Sequence, residues 1–294
     1  MKIYIANNAA ALSALNVEAT VEAEYGLDCV NGQVLTLAHH GPRSGRPCPC
    51  SIPNLPALGI RSVGISHVDL DTLGGLMAIK GIKPVEYDWV KDFWRVAAEV
   101  DVKGVHKIPT MDLGICPDMV MDSLNAFYAF SETEGRVFAP RDGSVVEIDL
   151  SRHFQIISTL LTRDKRWGWK SPARQALLEV GKEWAAAKDL LETESYVGTA
   201  GADVLIRSSE QFTAHLYWNN GRLHKAIVSF NPKIGSITVS CCDAIPGFNA
   251  GAFCQQVWGE GAGGHAGIGG SPRGQQLTLD EAKRVALLLA VALS

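Results

Sequence analysis

His67, Asp69 and Asp71 occupy alternating positions in Ser66-His67-Val68-Asp69-Leu70-Asp71, directly after the apolar run Val63-Gly64-Ile65. Residues two apart in an extended segment point to the same side of the chain, so one imidazole and two carboxylates are expected to converge on one point. Oxygen and imidazole donors so arranged suit a hard or borderline divalent cation such as manganese or magnesium. The string also admits a plainer reading. Asp71 or Thr72 could cap the helix that continues through Gly74-Gly75-Leu76-Met77-Ala78, with His67 a polar residue at a strand end. Spacing alone does not choose between the two.

A second segment bears on the choice. The chain later reads Gly259-Glu260-Gly261-Ala262-Gly263-Gly264-His265-Ala266-Gly267-Ile268-Gly269-Gly270-Ser271-Pro272-Arg273-Gly274. Glycine loses the most backbone entropy on ordering, so a loop is expected here rather than a regular helix or strand. Successive N–H groups in such a loop can cradle an anion. His265 and Arg273 are the side chains suited to complete a phosphate site, arginine through its planar fork. The alternative is a flexible linker, which needs neither the histidine nor the Pro-Arg pair.

Together the two segments resemble the DHH phosphoesterase superfamily. Its first motif, an apolar strand ending in His-x-Asp-x-Asp and running into a small-residue helix, is matched by Ile65 to Gly75. Its associated C-terminal domain carries a Gly-Gly-His loop after antiparallel strands, and Gly263-Gly264-His265-Ala266 with Gly269-Gly270 looks like it. The resemblance covers Val63 to Asp118 and Gly201 to Gly274. It implies a metal-dependent phosphoesterase with one or two Mn2+ or Mg2+ ions and a metal-activated water as nucleophile. The substrate would be small and phosphorylated: a short oligonucleotide, a cyclic dinucleotide or a nucleoside bisphosphate. His67, Asp69 and Asp71 would form the catalytic, metal-holding set. Gly263, Gly264, His265 and Arg273 would hold the other end of the substrate, in a cleft between two domains.

The chain departs from the pattern in one respect. No Asp-His-His triplet follows the first motif. The adjacent histidines His39-His40 lie upstream, after Val34-Leu35-Thr36-Leu37 and Ala38, and would take part of the triplet's role. Asp101 and His106, in Asp101-Val102-Lys103-Gly104-Val105-His106, are further ligand candidates, although the same residues make an ordinary helix exit. Asp112 and Asp118 read more simply as solvated acids. The missing triplet supports a rival reading, a catalytically inactive nucleic-acid- or nucleotide-binding protein of the same fold. A zinc hydrolase built on His39-His40 and Cys48-Pro49-Cys50 is a weaker alternative, since no second cysteine pair completes four ligands.

The elements that must position these residues follow from pattern and length. At 294 residues with 47% hydrophobic and 20% charged residues, the chain is expected to bury two cores. Residues 1–192 are expected to form a catalytic α/β domain with a largely parallel sheet, flanking helices and a helical connector. Residues 193–294 are expected to form a smaller α+β substrate-binding domain. In the first, Met1 to Ile5 opens a strand, Trp89 to Val100 is amphipathic, and helical periodicity dominates Ser151 to Leu191. Trp167, Trp169 and Trp184 are read as packing rather than as base-stacking platforms. In the second, Val204–Ile206, His215–Trp218, Lys225–Phe230 and Ser236–Ser240 read as a meander of strands, with Asn219-Asn220-Gly221 a hairpin turn. Asn249 to Trp258 reads as a short helix, and Thr278-Leu279-Asp280-Glu281 as a capping box before a last helix.

A net charge of −4 argues against a long nucleic-acid groove but leaves room for a small phosphorylated substrate. Seven scattered cysteines without a disulfide framework, and no leader or membrane span, point to a soluble cytoplasmic protein. A homodimer is admitted.

Overall fold

The computed structural model describes residues 1–23, 35–39, 45–140, 142–272 and 274–294. The chain divides into two compact units, residues 1–102 with 111–185 and residues 103–110 with 186–294. No helix among the described residues is long and apolar enough to cross a membrane.

The first unit contains β1 (Lys2–Ile5), α1 (Ala9–Ala14), β2 (Ala19–Val21), β3 (Leu35–Leu37), β4 (Ser62–Ile65), α2 (Leu70–Ile79), α3 (Asp88–Lys103, less its last residue), α4 (Pro117–Thr133), β5 (Val146–Ile148) and α5 (Ser151–Leu161). The helix α6 (Pro172–Glu194) begins in it. Its sheet has the order β3-β2-β4-β1-β5, parallel throughout except for β5. The largely parallel α/β layer read from the sequence is therefore present. Register matters most here: Val21 pairs with Leu37 on one side and with Ile65 on the other. Three neighbouring strands thus end abreast, so the residues that follow them share one carboxyl edge, the edge at which open α/β sheets bind ligands.

The helix α2 is buried along its whole length. Fully buried Leu73, Leu76 and Met77 each contribute about 1.5–3 kcal/mol by leaving water. Its glycines have a packing purpose: a Cβ at Gly74 would stand 2.7 Å from the Cα of Cys50. The short 3-10 helix Pro49–Ser51 can therefore lie directly against α2. Lys83, itself buried, donates from Nζ to the carbonyls of Cys50 and of Ile52 (2.7 Å for the latter) and lies over the Trp94 ring. Burial pushes its ammonium down to about 8, while Cys50 and Asp71 pull it back up. In α3 the buried Trp89, Val90, Phe93, Trp94, Val96, Ala97 and Val100 follow helical spacing, and Asp101 falls in the last turn.

The second unit continues with β6 (Tyr196–Ala200), β7 (Val204–Ser208), β8 (Trp218–Asn219), β9 (Arg222–Leu223), β10 (Ala226–Asn231), β11 (Ser236–Cys241), α7 (Ala250–Trp258), β12 (Gly263–Gly264), β13 (Ile268–Gly270) and α8 (Leu279–Ala292). Its six-stranded sheet has the order β12-β13-β11-β10-β7-β6, and Val204, Ile206, Val228 and Val239 pack with Phe253, Val285 and Leu289 of α7 and α8. Asn249 caps α7 and Thr278 caps α8, each accepting from an N–H three residues on.

Three expectations need correction. The strands are not a simple meander, because β7 and β10 pair in parallel across a crossover that contains the β8–β9 hairpin. Within His215–Trp218 only Trp218 lies in a strand, as the first residue of β8. Tyr217 is buried with its hydroxyl against Ser240, and the carbonyls of Leu216 and Trp218 accept from the fully buried Arg207 guanidinium. The glycine run is also not an open loop: Gly263–Gly264 pairs with Gly269–Gly270 as an antiparallel hairpin. Close packing explains the glycines, since a Cβ at Gly264 would meet the Ile268 carbonyl at 2.3 Å, at a backbone φ of +153°.

A candidate metal centre at the sheet edge

The three abreast strand ends deliver a cluster of ligating groups. Glu22 follows β2, His39 follows β3 by one residue, and His67, Asp69 and Asp71 follow β4. Asp101 arrives from the last turn of α3. His39 Nε2 lies 2.9 Å from Asp101 Oδ2, 3.3 Å from Asp71 Oδ2 and 3.8 Å from Glu22 Oε1. The His39, Asp71 and Glu22 side chains are at most 5% exposed.

Glu22 was not singled out in the sequence. It continues the sheet, its N–H donating to Leu37 O at 2.9 Å, and its backbone adopts a left-handed φ of +42°. A non-glycine residue held there carries a conformational cost that only its surroundings can offset. Burial first, then the neighbouring Asp71, Asp69 and Asp101, pushes its carboxyl up to about 9. Asp71 is also raised by burial, although the Cys50 N–H donating to its Oδ1 at 2.8 Å works the other way.

Hydrogen-bond logic fixes the histidines. The Ser66 hydroxyl donates its one hydrogen to the Glu22 carbonyl, so its contact with His67 Nδ1 at 2.7 Å requires Nδ1–H as donor. His67 Nε2 is then the nitrogen turned to Asp69 Oδ2, at 3.0 Å. The Cys48 thiol likewise donates to Ala98 O, so the 3.3 Å contact between its sulfur and His39 Nδ1 takes the proton from the ring. Both imidazoles therefore present Nε2 to carboxylate oxygens, the orientation of a metal-ligating histidine whose other nitrogen is anchored. His39, Cys48 and Asp71 offer ligand atoms within 4.8 Å of one another. Burial, followed by Asp71 and Asp101, pushes the Cys48 thiol up to about 12, so it stays protonated and acts as an anchor for His39. A zinc site at Cys48-Cys50 is not what this geometry favours.

Asp69, rather than Asp71 or Thr72, caps α2, accepting the Thr72 N–H on Oδ1 at 2.8 Å. Its two oxygens divide the work, one closing the helix and one facing His67. Burial pushes the Asp69 carboxyl up, but the hydrogen bond and charge of His67 and the Thr72 N–H outweigh it and leave it lowered. Tyr128 of α4 feels the same cluster. Burial, then Asp69 and Asp101, raises its phenol, which stays a hydrogen-bond donor at any ordinary pH.

The remaining candidates have other contacts. His106 belongs to the second unit, its ring centroid 4.6 Å from that of Tyr217. Asp112 accepts the Gly114 N–H in a tight turn, and Asp118 sits in the first turn of α4. Gly263 and Gly264 form the edge strand of the second unit, and His265 is exposed at its turn, bonding Ile268 through its own backbone. His40 and Arg273 lie outside the described residues.

The cluster fits a divalent cation. Four carboxylates (Glu22, Asp69, Asp71, Asp101) and two imidazoles make a donor set of oxygens and nitrogens with no thiolate. Burying such charge without a counter-charge costs several kcal/mol per ion, and among the described residues no arginine or lysine ion-pairs with Asp69 or Asp71. Asp71 Oδ2, buried, has no hydrogen-bond donor among the described residues.

No family model and no curated protein matches the sequence. Solved structures similar to the chain include the pGpG-specific phosphodiesterase PggH from Vibrio cholerae, at 13% identity and TM-score 0.45, covering 95% of this chain and 98% of that one. RecJ from Thermus thermophilus is similar in two structures. The Mn2+ complex has 16% identity and TM-score 0.44 and covers 94% of this chain and 45% of RecJ. The Mg2+ complex has 13% identity and TM-score 0.37 and covers 75% of this chain and 32% of RecJ. The chain thus spans less than half the length of the RecJ chains. At these similarities the chemistry has to be argued from the residues themselves.

Proposed function

We propose that the chain is a metal-dependent phosphoesterase that hydrolyses a small phosphorylated substrate. The observation that carries this reading is the convergence of Glu22, Asp71 and Asp101 on His39 Nε2 at a buried strand edge. Asp69, Asp71, His67, His39, Glu22 and Asp101 would hold one or two Mn2+ or Mg2+ ions, and two divalent charges would balance the four carboxylates. Bound there, such ions supply a water activated at neutral pH and neutralise charge on phosphoryl oxygens.

The remaining work falls to the chain's own groups. Glu22 supplies, from the adjacent strand, the carboxylate that Ala38 cannot offer before His39. Cys48 and Ser66 hold the rings with Nε2 inward, and the Cys50 N–H orients Asp71 by binding its outer oxygen. Gly263, Gly264, His265 and Arg273 are the proposed contacts for the rest of the substrate. Short oligonucleotides, cyclic dinucleotides and nucleoside bisphosphates are the substrates that the resemblance to the DHH phosphoesterases implies.

The test is calorimetric titration of metal-stripped protein with Mn2+, beside Asp71→Asn, followed by a panel of short phosphodiesters. Micromolar or tighter binding that the variant largely loses, with metal-dependent hydrolysis of at least one diester, is the expected result. Metal binding without hydrolysis of any diester would favour the inactive nucleotide-binding protein. No binding by either protein would overturn the metal centre itself.

A further inference from the structure

By pattern Trp167 reads as a packing residue like Trp169 and Trp184, but the structure separates it from them. Trp169 is wedged edge-on against Tyr87 and Trp89, with centroids 5.1 and 5.0 Å apart. Trp184 donates to Glu132 and stacks on Tyr128. Trp167, by contrast, is 51% exposed at the tip of the α5–α6 connection. That connection reads Thr162-Arg163-Asp164-Lys165-Arg166-Trp167-Gly168-Trp169-Lys170, four cations against one acid in a chain of net charge −4. All four cations are exposed. Among the described residues none of them ion-pairs with an acid of the chain.

The one acid serves the turn. Asp164 Oδ1 accepts the N–H groups of Arg166 and Trp167 at 2.8 and 2.7 Å, and Asp164 and Gly168 exchange backbone hydrogen bonds. The base of the turn is fixed from below. The buried Arg174 donates to Leu160 O at 2.9 Å and to Trp169 O at 3.3 Å. The turn therefore displays its tip rigidly. Arg166 lies over the Trp167 ring, 4.8 Å from its centroid. Beside it runs a groove of about 580 Å³, lined by Gln155, Ser158, Thr159, Arg163, Asp164 and Trp167.

We infer that this turn is a docking site for single-stranded nucleic acid, separate from the metal centre. Uncompensated cations attract the phosphates, and an exposed indole with an arginine on it is a platform for an unpaired base. A folded duplex offers no such base, and a lipid surface would call for several apolar side chains where the tip has one. Trp169 contacts Trp89 at the start of α3, whereas Asp101 joins the metal cluster near its end. Twelve residues of helix put about 18 Å between the two places. The strand would be held locally, on a few phosphates, which a chain lacking a long basic groove allows.

Fluorescence anisotropy of a labelled single strand of about 12 nucleotides, in EDTA so that no hydrolysis intervenes, tests this. Wild type should bind with a log–log salt slope of up to about −3, set by four cations on a single strand. The double variant K165E/R166E should weaken binding at least about tenfold and flatten the slope by about half. Trp167→Ala should weaken binding about 5- to 150-fold, with Trp167→Phe recovering most of the loss. These positions are exposed, and an unchanged Mn2+ isotherm in each variant shows that the first unit is intact. Equal binding by wild type and the double variant overturns the proposal. So does an abasic strand or anionic vesicles binding as tightly as the oligonucleotide, since the turn would then read charge alone. Loss of Mn2+ binding in Asp71→Asn with strand binding unchanged separates this site from the proposed phosphoesterase centre.

Discussion

Glu22 shows what a single residue contributes and why it was hard to see. It follows a three-residue strand, too short to display alternation, and nothing within Ala19-Thr20-Val21-Glu22 marks it from Glu18 or Glu24. Its partners His39, Asp71 and Asp101 reach it only through strand pairing, which is a tertiary fact. His67, Asp69 and Asp71 were legible because their spacing is local, and Asp69 gained a second role, as helix cap, that the sequence had given to its neighbours. Glu22 also makes a signed prediction. An unfolded glutamate titrates near about 4.3, while the folded value is about 9. The stability Glu22 contributes to the metal-free protein is therefore fully present below about pH 4.3 and is lost as pH rises toward 9. Metal-free Glu22→Gln should melt above metal-free wild type at pH 8, with the gap closing toward pH 5, while its Mn2+ affinity falls. Scanning calorimetry across that range decides it: a wild type that melts higher at pH 8 would remove Glu22 from the buried charged cluster.

At the scale of elements, the parallel sheet, the helix after the first motif and the capped helices α7 and α8 could be read from periodicity and capping residues. The glycine hairpin could not, because glycine's entropic cost argues for a loop whereas the close approach of β12, β13 and α7 requires glycine in strands. The crossover between β7 and β10 was hidden for a related reason: turn residues report local reversals and say nothing about which strand is the partner. The contact between α2 and Pro49–Ser51 is the element-level support of the site, since Cys50 reaches Asp71 only while the two are in contact. Gly74→Ala would place a Cβ 2.6 Å from the Cβ of Cys50. Overpacking of that kind costs about 1–3 kcal/mol, and a weaker Mn2+ isotherm should accompany the lower melting temperature. Destabilisation with an unchanged isotherm would mean that Asp71 does not depend on this contact.

For the whole molecule, the relevant fact is two separately packed units with all six proposed ligands in one of them. Ligand binding stabilises only what it binds, by about 2.7 kcal/mol at a hundredfold excess over Kd. Calorimetric scans should resolve a transition that climbs with Mn2+ and a second that stays put. Two transitions rising in parallel would assign metal-linked stability to the entire chain and contradict this division.

The cluster around His39 Nε2 has a topological meaning as well. It ties together β2, β3, the start of α2 and the end of α3, chain points far apart in sequence. An ion gripping all four would act as a removable cross-link: no one of them could peel away without breaking coordination, so local opening of this edge would become all or none. Chelation would then do more than silence a reaction. It would undo that knot, and proteases would find the strand connections of the first unit before they found anything in the second.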